Sequence, residues 1–221
     1  MTGGKRISIV VPAYNEEKRL PEVLKRVPDF VDELIVVDDG STDGTYSTAL
    51  KMAEEDPRVV PIRLEENCGK GCAMREGIKH ARGDVVVFMD ADGQHLPEEI
   101  GKLVGPIVQG EADVVIGARR LEVQGKRPIH RRLSNMITTR LLRLKLGTYV
   151  YDTQSGFRAY RREFLPRIES SRYEVESEML IKAVKMGARI REVPVSMVYG
   201  VETGHFKVED VFRFLYALIK F

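Results

Sequence analysis

An apolar run that ends in two carboxylates limits the fold of this chain more than any other feature. Residues 85–89 read Val-Val-Val-Phe-Met, Gly83 and Asp84 precede them, and Asp90-Ala-Asp92 and Gly93 follow directly. A short β-branched run between turn residues is typical of a buried strand. Carboxylates beside a core need partners, and ligands bind at the carboxyl edge of open α/β sheets. The pattern therefore predicts a ligand or metal site at the end of this strand.

The same segment carries oxygen donors for a cation. Asp90 and Asp92, with Gln94 and His95 after them, can offer ligands to a hard divalent cation that carries a diphosphate. The alternative is a solvated turn with an Asx cap before a helix at Pro97. Sequence alone leaves both interpretations open.

The first half of the chain alternates strands and helices. Strands are predicted at residues 7–11, 33–37, 59–64, 85–89 and 113–117, and helices at 16–27, 45–55, 70–81 and 97–109. Asn15 is a plausible cap for the first helix. This alternation predicts an α/β fold with a mostly parallel sheet and helices on both faces. Functional side chains should then collect at the strand ends.

The second half is less regular and more basic. Residues 119–145 hold nine Lys or Arg and one acid, Glu122. We expect an amphipathic helix within 128–146, a turn-rich loop at 151–157, a helix at 176–186, a strand at 190–195 and a terminal helix at 208–221. The two amphipathic helices could lie on an anionic membrane surface. The alternative is that their apolar faces pack on the core.

Bulk composition bounds the class of protein. The 221 residues suffice for a single domain spanning 1–221. The formal net charge of +2 suggests no nucleic-acid partner. Cys68 and Cys72 are expected to be reduced thiols. No run reaches the ~18 apolar residues of a transmembrane helix, and no signal peptide is visible. We expect a cytoplasmic protein, or one that lies on a membrane surface without crossing it.

Motifs at successive strand ends follow the order of a known family. They are Val10-Val-Pro-Ala-Tyr-Asn-Glu16, Val36-Val-Asp-Asp-Gly-Ser-Thr-Asp-Gly44, Asn67-Cys-Gly-Lys-Gly-Cys-Ala73, Asp90-Ala-Asp-Gly-Gln94, Gly117-Ala-Arg-Arg120, Gln154-Ser-Gly-Phe157 and Glu192-Val-Pro-Val195. The set resembles family 2 of the inverting glycosyltransferases, which have the GT-A (Rossmann-like) fold, and within it the dolichyl-phosphate mannose synthase branch. The resemblance covers residues 6–200. It implies a nucleotide-sugar-binding half at 1–118 and an acceptor-binding half at 119–221.

The resemblance also implies donor-binding residues. They are Pro12, Tyr14, Glu16, Val37, Asp39, Lys70, Asp90, Ala91, Asp92 and Arg119. Tyr14 and Glu16 would line the nucleoside pocket, although they could simply begin a helix. A guanidinium at Arg119 could hold the diphosphate, or it could be an ordinary surface arginine. For Lys70 a solvated helix start is the favoured interpretation, with nucleotide binding as the alternative.

A divalent metal is the implied cofactor. Mg²⁺ or Mn²⁺ would be held by Asp92, with Gln94 and Asp90 beside it, and would stabilise charge on the departing nucleoside diphosphate. Asp90, Asp92, Arg119 and Glu176 are accordingly the expected catalytic residues.

The acceptor distinguishes the possible reactions. A sugar hydroxyl must lose a proton to a base, whereas a lipid monophosphate is already ionised near neutral pH. Glu176 is the best candidate base if one is needed, and the alternative is that it charges the first turn of a helix. By resemblance, Arg131, Ser155 and Lys207 would bind the acceptor, although residues 199–207 depart from the family's usual basic pattern.

The expected function is an inverting, metal-dependent transfer of a hexose, mannose from GDP-mannose, to dolichyl or polyprenyl phosphate at the cytoplasmic face of a membrane. The alternative is a family 2 enzyme that uses a UDP-sugar and a saccharide hydroxyl. A nucleotide-sugar-binding module without catalysis is a further possibility, but the intact Asp90-Ala-Asp92 argues against it.

Overall fold

A mostly parallel sheet of seven strands forms the centre of the described part of the protein. The computed structural model describes residues 2–124, 140, 150–172, 174–198 and 220. In that part of the chain the strands are β1 (Ile7–Ala13), β2 (Glu33–Asp38), β3 (Val59–Arg63), β4 (Val85–Phe88), β5 (Val114–Gln124), β6 (Arg158–Arg161) and β7 (Ile190–Val198). They form one sheet in the order β3-β2-β1-β4-β6-β5-β7. Strand β6 pairs antiparallel with β4 and β5, and the other pairings are parallel. The predicted α/β fold is confirmed.

Helices cover both faces of this sheet, as predicted. They are α1 (Leu20–Lys25), α2 (Thr45–Glu55), α3 (Lys70–His80), α4 (Ile100–Val108) and α5 (Val175–Lys185). Successive side chains of a strand point to opposite faces. In β1, Ile9 therefore packs in the core with α1, α2 and α4, whereas Val10 packs with α3 and α5. Both faces of the central strands are buried, which explains their continuous apolar runs.

The segment after β1 is a loop, so the predicted helix at 16–27 is too long. Helix α1 begins at Leu20 with Pro21 in its first turn, a position that suits proline. Asn15 has a φ of 57°, which asparagine tolerates better than most residues. Its side-chain oxygen accepts the N–H of Thr42 at 2.9 Å. Asn15 therefore caps the loop after β2 rather than α1, and the predicted cap is wrong.

The second half of the sheet differs most from prediction. Strand β5 does not end at Gly117 but continues to Gln124, because β7 extends alongside it, with a register shift between Arg119 and Leu121. Strand β6 was not predicted, since three of the five residues at 158–162 are arginines. The helices predicted within 128–146 and 208–221 lie outside the described residues, apart from residues 140 and 220. No helix in the described ranges is long and apolar enough to cross a bilayer.

Candidate active site

The carboxyl ends of β2, β1 and β4 are neighbours, which brings three of the predicted motifs to one edge. Tyr14 follows β1, Asp39 follows β2 and Asp90 follows β4. Burial raises the pKa of Glu16, and the negative charge of Asp90 contributes to that shift. The loops after β1 and β4 therefore share an electrostatic environment, as the strand order requires.

A buried lysine joins two of the predicted catalytic acids. The Lys70 Nζ atom lies 2.5 Å from Asp90 Oδ1 and 2.7 Å from Glu176 Oε1. Burial opposes the charge on Lys70, but the two carboxylates outweigh burial and raise its pKa above the ordinary value. We call Asp90, Lys70 and Glu176 the ion triad. It connects the start of α3, the end of β4 and the first turn of α5.

The favoured interpretation of Lys70 as a solvated helix start is therefore wrong. The side chain is 18% exposed, because the first turn of α3 lies against residues 170–171. A Cβ atom at Gly69 would stand 2.3 Å from the carbonyl oxygen of Ser171, and one at Gly71 would stand 2.2 Å from that of Ser170. Glycine at both positions allows this approach, which places Lys70 beneath a loop rather than in water.

The pKa values of the two acids in Asp90-Ala-Asp92 shift in opposite directions. Burial opposes ionisation of Asp90, but Lys70 outweighs it and lowers the pKa. Burial, and next the charge of Asp90, raise the pKa of Asp92. Asp92 Oδ1 accepts the N–H of Gln94 at 3.0 Å, while Ala91 is buried between the two acids. A bound cation would favour the charged form of Asp92, which is the chemistry expected of a metal ligand.

The donor set fits a hard cation that shares its ligands with a substrate. Asp92, Gln94 and Asp90 present carboxylate and amide oxygens, which Mg²⁺ and Mn²⁺ prefer. In the described residues, no three His, Cys, Asp or Glu side chains converge to form a complete metal site. Magnesium is commonly bound by one or two carboxylates together with substrate phosphates. These residues would hold a metal that also binds a diphosphate.

His95 contacts the acidic segment at Asp90. The ring is buried and stacks on Phe157, with ring centroids 4.9 Å apart. Burial lowers the pKa of His95, which favours the neutral form of the ring. The backbone N–H of Asp90 donates to its Nδ1 atom at 3.4 Å. His95 thus fixes the start of the acidic segment through a neutral ring.

The predicted nucleoside residues divide between the surface and the interior. Tyr14 is 45% exposed and open to a ligand. Glu16 forms an ion pair with Arg19 at 3.2 Å, and Pro12 is partly exposed. Val37 is fully buried in the core beneath α3, so its side chain does not face a nucleoside.

The two aspartates at the end of β2, Asp38 and Asp39, accept backbone hydrogen bonds that hold neighbouring loops in place. Asp39 accepts the N–H groups of Cys68 and Gly69 at 3.0 and 2.9 Å, which holds the entry to α3. Asp38 accepts the N–H of Ser41 at 3.1 Å. Asp38 therefore caps the turn that follows β2.

Arg119 is held by a buried aspartate. Its Nε and Nη2 atoms donate to the two carboxylate oxygens of Asp152, both at 2.6 Å. The Arg119 side chain is only 12% exposed, so the alternative of an ordinary surface arginine is wrong. Its positive charge contributes to the lowered pKa of Asp90. Arg119 acts on the site through its field, and a direct contact with diphosphate stays a prediction.

The acceptor residues are only partly described. Arg131 and Lys207 lie outside the described residues. Ser155 is fully buried, and its hydroxyl oxygen accepts the N–H of Phe157 at 3.3 Å. Glu178 is also buried and accepts the N–H groups of residues 169 and 170, both at 2.7 Å. Of the glutamates at the start of α5, Glu176 is the one that reaches Lys70.

Sequence reasoning missed Gly156 and Arg158. A Cβ atom at Gly156 would stand 2.7 Å from Asp90 Oδ2 and 2.8 Å from Lys70 Nζ. We call residues 153–157 the roof loop because Gly156 lies directly against the ion triad. The Arg158 guanidinium is buried and donates to three backbone carbonyl oxygens. The signal available in sequence was an arginine directly after the Gln154-Ser-Gly-Phe157 motif.

Comparison with known proteins agrees with this arrangement. The profile of the family described as "Glycosyl transferase family 2" matches residues 8–168. The chain belongs to glycosyltransferase family 2. This confirms the resemblance drawn from the strand-end motifs.

Two relatives act, by their names, on lipid phosphates. The UDP-N-acetylglucosamine–dolichyl-phosphate N-acetylglucosaminyltransferase of Methanococcus voltae is 35% identical over 217 residues, covering 88% of this chain and 86% of the relative. The undecaprenyl-phosphate mannosyltransferase of Micrococcus luteus is 37% identical over 206 residues, covering 87% of this chain and 84% of the relative. Because these relatives are named for different sugars, they do not single out mannose.

A solved structure shares the fold. Glucosyl-3-phosphoglycerate synthase from Mycobacterium tuberculosis, in complex with Mn²⁺, uridine diphosphate and phosphoglyceric acid, has a TM-score of 0.71 and 28% sequence identity. The match covers 99% of this chain and 79% of that chain.

Proposed function

We propose that this family 2 glycosyltransferase moves a hexose from a nucleoside-diphosphate sugar to a polyprenyl phosphate, with inversion at the anomeric carbon. The observation that carries the proposal is the ion triad. Glu176, the candidate base, has one carboxylate oxygen held by the Lys70 ammonium at 2.7 Å. The names of the Methanococcus voltae and Micrococcus luteus relatives, both of which specify a lipid phosphate, support the same acceptor class.

The triad favours an acceptor that is already ionised. A hydroxyl acceptor needs a carboxylate free to take its proton, and the Lys70 ammonium occupies one of the two Glu176 oxygens and stabilises the charged carboxylate, which makes it a weaker base. A phosphate monoester carries its negative charge at neutral pH, so it needs no base. Lys70 also offsets the charges of Asp90 and Glu176, which lowers the repulsion that an anionic acceptor meets.

The bond changes follow from this acceptor. A phosphate oxygen attacks the anomeric carbon, the bond from that carbon to the donor diphosphate breaks, and the nucleoside diphosphate leaves with the bonding electron pair. A divalent metal, when bound, stabilises the charge on this leaving group. Asp92, Gln94 and Asp90 would hold it, and the Mn²⁺ and uridine diphosphate in the mycobacterial structure support such a role.

The donor and the location are finer parts of the proposal. GDP-mannose is the donor implied by the resemblance to mannose synthases, and a UDP-sugar is the alternative, supported by the name of the Methanococcus voltae relative. A polyprenyl acceptor resides in a bilayer, so the enzyme would act as a peripheral protein on the cytoplasmic face of a membrane.

Labelled-sugar transfer tests the acceptor. GDP-mannose, UDP-glucose and UDP-N-acetylglucosamine, each radiolabelled in the sugar, are incubated with the protein and Mn²⁺, with and without polyprenyl phosphate in detergent. We expect label to enter the organic phase only when lipid phosphate and metal are both present.

A second candidate is transfer to a hydroxyl of a small phosphorylated acid, with Glu176 as base. The phosphoglyceric acid in the structurally similar synthase favours it. Label that enters a water-soluble product with phosphoglycerate, and that lipid phosphate does not affect, would support this candidate and contradict the lipid phosphate proposal.

A further inference from the structure

We propose that Arg158 is a positioning residue that fixes the roof loop and the start of α5 on the ion triad. The inference rests on family 2 transfer chemistry and is independent of which acceptor the enzyme uses. Neither the sequence motifs nor the family match assigns a role to this arginine.

The surroundings of Arg158 are unusual for a charged side chain. It is 2% exposed, and in the part of the chain that the structure describes it has no carboxylate partner. Arginine stays protonated in proteins, so a permanent positive charge is buried against backbone carbonyl oxygens. Burying an unpaired charge is costly. A side chain retained under that cost is expected to do something that an apolar residue cannot.

The hydrogen bonds show what that is. Nε donates to the carbonyl oxygen of Ser155 at 2.5 Å, and Nη2 donates to that of Thr153 at 2.5 Å. Nη1 donates to the carbonyl oxygen of Glu176 at 2.6 Å. The guanidinium is planar and rigid, so it sets the distance and angle between two segments that are far apart in sequence.

Both of these segments touch the ion triad. The backbone carbonyl oxygen of Glu176 accepts a hydrogen bond from Arg158, and the Glu176 carboxylate forms an ion pair with Lys70. Gly156, which follows the Arg158-bound Ser155, lies so close to Asp90 and Lys70 that a Cβ atom would collide with both. A small shift of the Arg158 guanidinium would therefore displace both Asp90, a proposed metal ligand, and the Lys70 ammonium that pairs with it.

The roof loop also supports the acidic segment through a second route. Phe157 stacks on His95, and the Nδ1 atom of His95 accepts the N–H of Asp90. Arg158 thus positions Asp90 by two routes, through Gly156 and through the stacked rings of Phe157 and His95.

Arg162 offers a matched control. Its guanidinium also donates to backbone carbonyl oxygens, those of Gly83 at 2.6 Å and Ala81 at 2.7 Å. These lie at the amino end of β4, the opposite end from Asp90, because β6 runs antiparallel to β4. Arg162 is more exposed than Arg158, so its replacement is expected to cost less stability.

The experiment compares Arg158→Lys with Arg162→Lys in the full chain. Lysine keeps the charge but replaces the fork with a point donor. We expect Arg158→Lys to lower kcat by on the order of 10²-fold, the effect of a misplacement of about 1 Å. The affinity for the free nucleoside, measured by calorimetry without metal, should change far less, because it does not depend on Asp90 or the diphosphate. Arg162→Lys should lower the melting temperature with little change in kcat. Equal kcat values for the two folded variants would overturn the proposal.

Gly156→Ala keeps the proposal testable if Arg158→Lys does not fold. Its methyl group would displace Asp90 and Lys70 while Arg158 stays in place, and we expect a similar fall in kcat. If both variants fold, their double variant should lose little more than either alone, because both disturb one contact. Multiplicative losses would overturn the proposal.

The readout is release of nucleoside diphosphate with the acceptor that the wild-type protein uses. Failure of lipid phosphate to stimulate the wild-type protein would refute the proposed function and leave this comparison intact.

Discussion

Replacing the buried Lys70 by methionine should lower the stability of the protein substantially. The variant leaves Asp90 and Glu176 without their shared cation, and their side chains are 28% and 8% exposed. Breaking a buried ion pair from one side typically costs about 3–5 kcal/mol. Because water reaches part of Asp90, we expect a loss near the lower end, about 3 kcal/mol. For a domain of this size that corresponds to a fall of about 6–12 °C in melting temperature.

The assay is urea unfolding followed by circular dichroism, with Glu176→Gln added to the same chain. The double variant removes one of the two stranded charges, so it should recover about 2 kcal/mol of the loss. Lys182→Met is the matched control, since Lys182 pairs with buried Glu178 at 2.6 Å on the same helix, away from the ion triad. It should lower stability without any rescue by Glu176→Gln. Unchanged stability in Lys70→Met, or a double variant less stable than the single one, would refute the described triad.

Three further predictions concern the metal, the diphosphate and acid stability. Asp92→Asn should abolish metal-dependent transfer yet keep the fold, because asparagine can still accept the Gln94 N–H; transfer across a Mn²⁺ titration, with melting curves, checks this. Arg119→Ala should weaken nucleoside diphosphate binding more than nucleoside binding in calorimetry; equal effects would place its role elsewhere. Hydrogen bonds from Arg189 hold the pKa of Asp113 at about 2, below its ordinary 3.8. The stability from this pair is therefore present above pH 3.8 and lost as pH falls through about 2. Asp113→Asn should flatten the pH dependence of unfolding in that window, and an unchanged slope would contradict the assignment.

The donor edge of the site could be predicted from sequence because its determinants are local. The apolar run before Asp90 defines a buried strand, and the predicted helix at 45–55 has the observed bounds of α2. Acids at the end of a buried strand, followed by glycine, indicate a ligand edge without knowledge of the rest of the fold.

The ion triad and the roof loop could not be predicted in the same way. Lys70 is buried because residues 170–171 cover it, and its partner Glu176 comes from the other half of the chain. Arginine is a residue type that usually lies at the surface. Arg158 is buried because β6 pairs between β4 and β5. Tertiary contacts of this kind override what local composition suggests.

The most direct test of the proposed mechanism asks whether Glu176 acts as a general base. The measurement is kcat/KM of Glu176→Gln with polyprenyl phosphate as acceptor, alongside the wild-type protein. A phosphate acceptor needs no proton removed, so we predict a fall of less than about tenfold, from the altered charge around Lys70. Loss of a general base typically lowers rates by about 10²–10⁴-fold. A fall of that size would show that Glu176 removes a proton, and it would contradict the account in which Lys70 holds Glu176 as a charge partner.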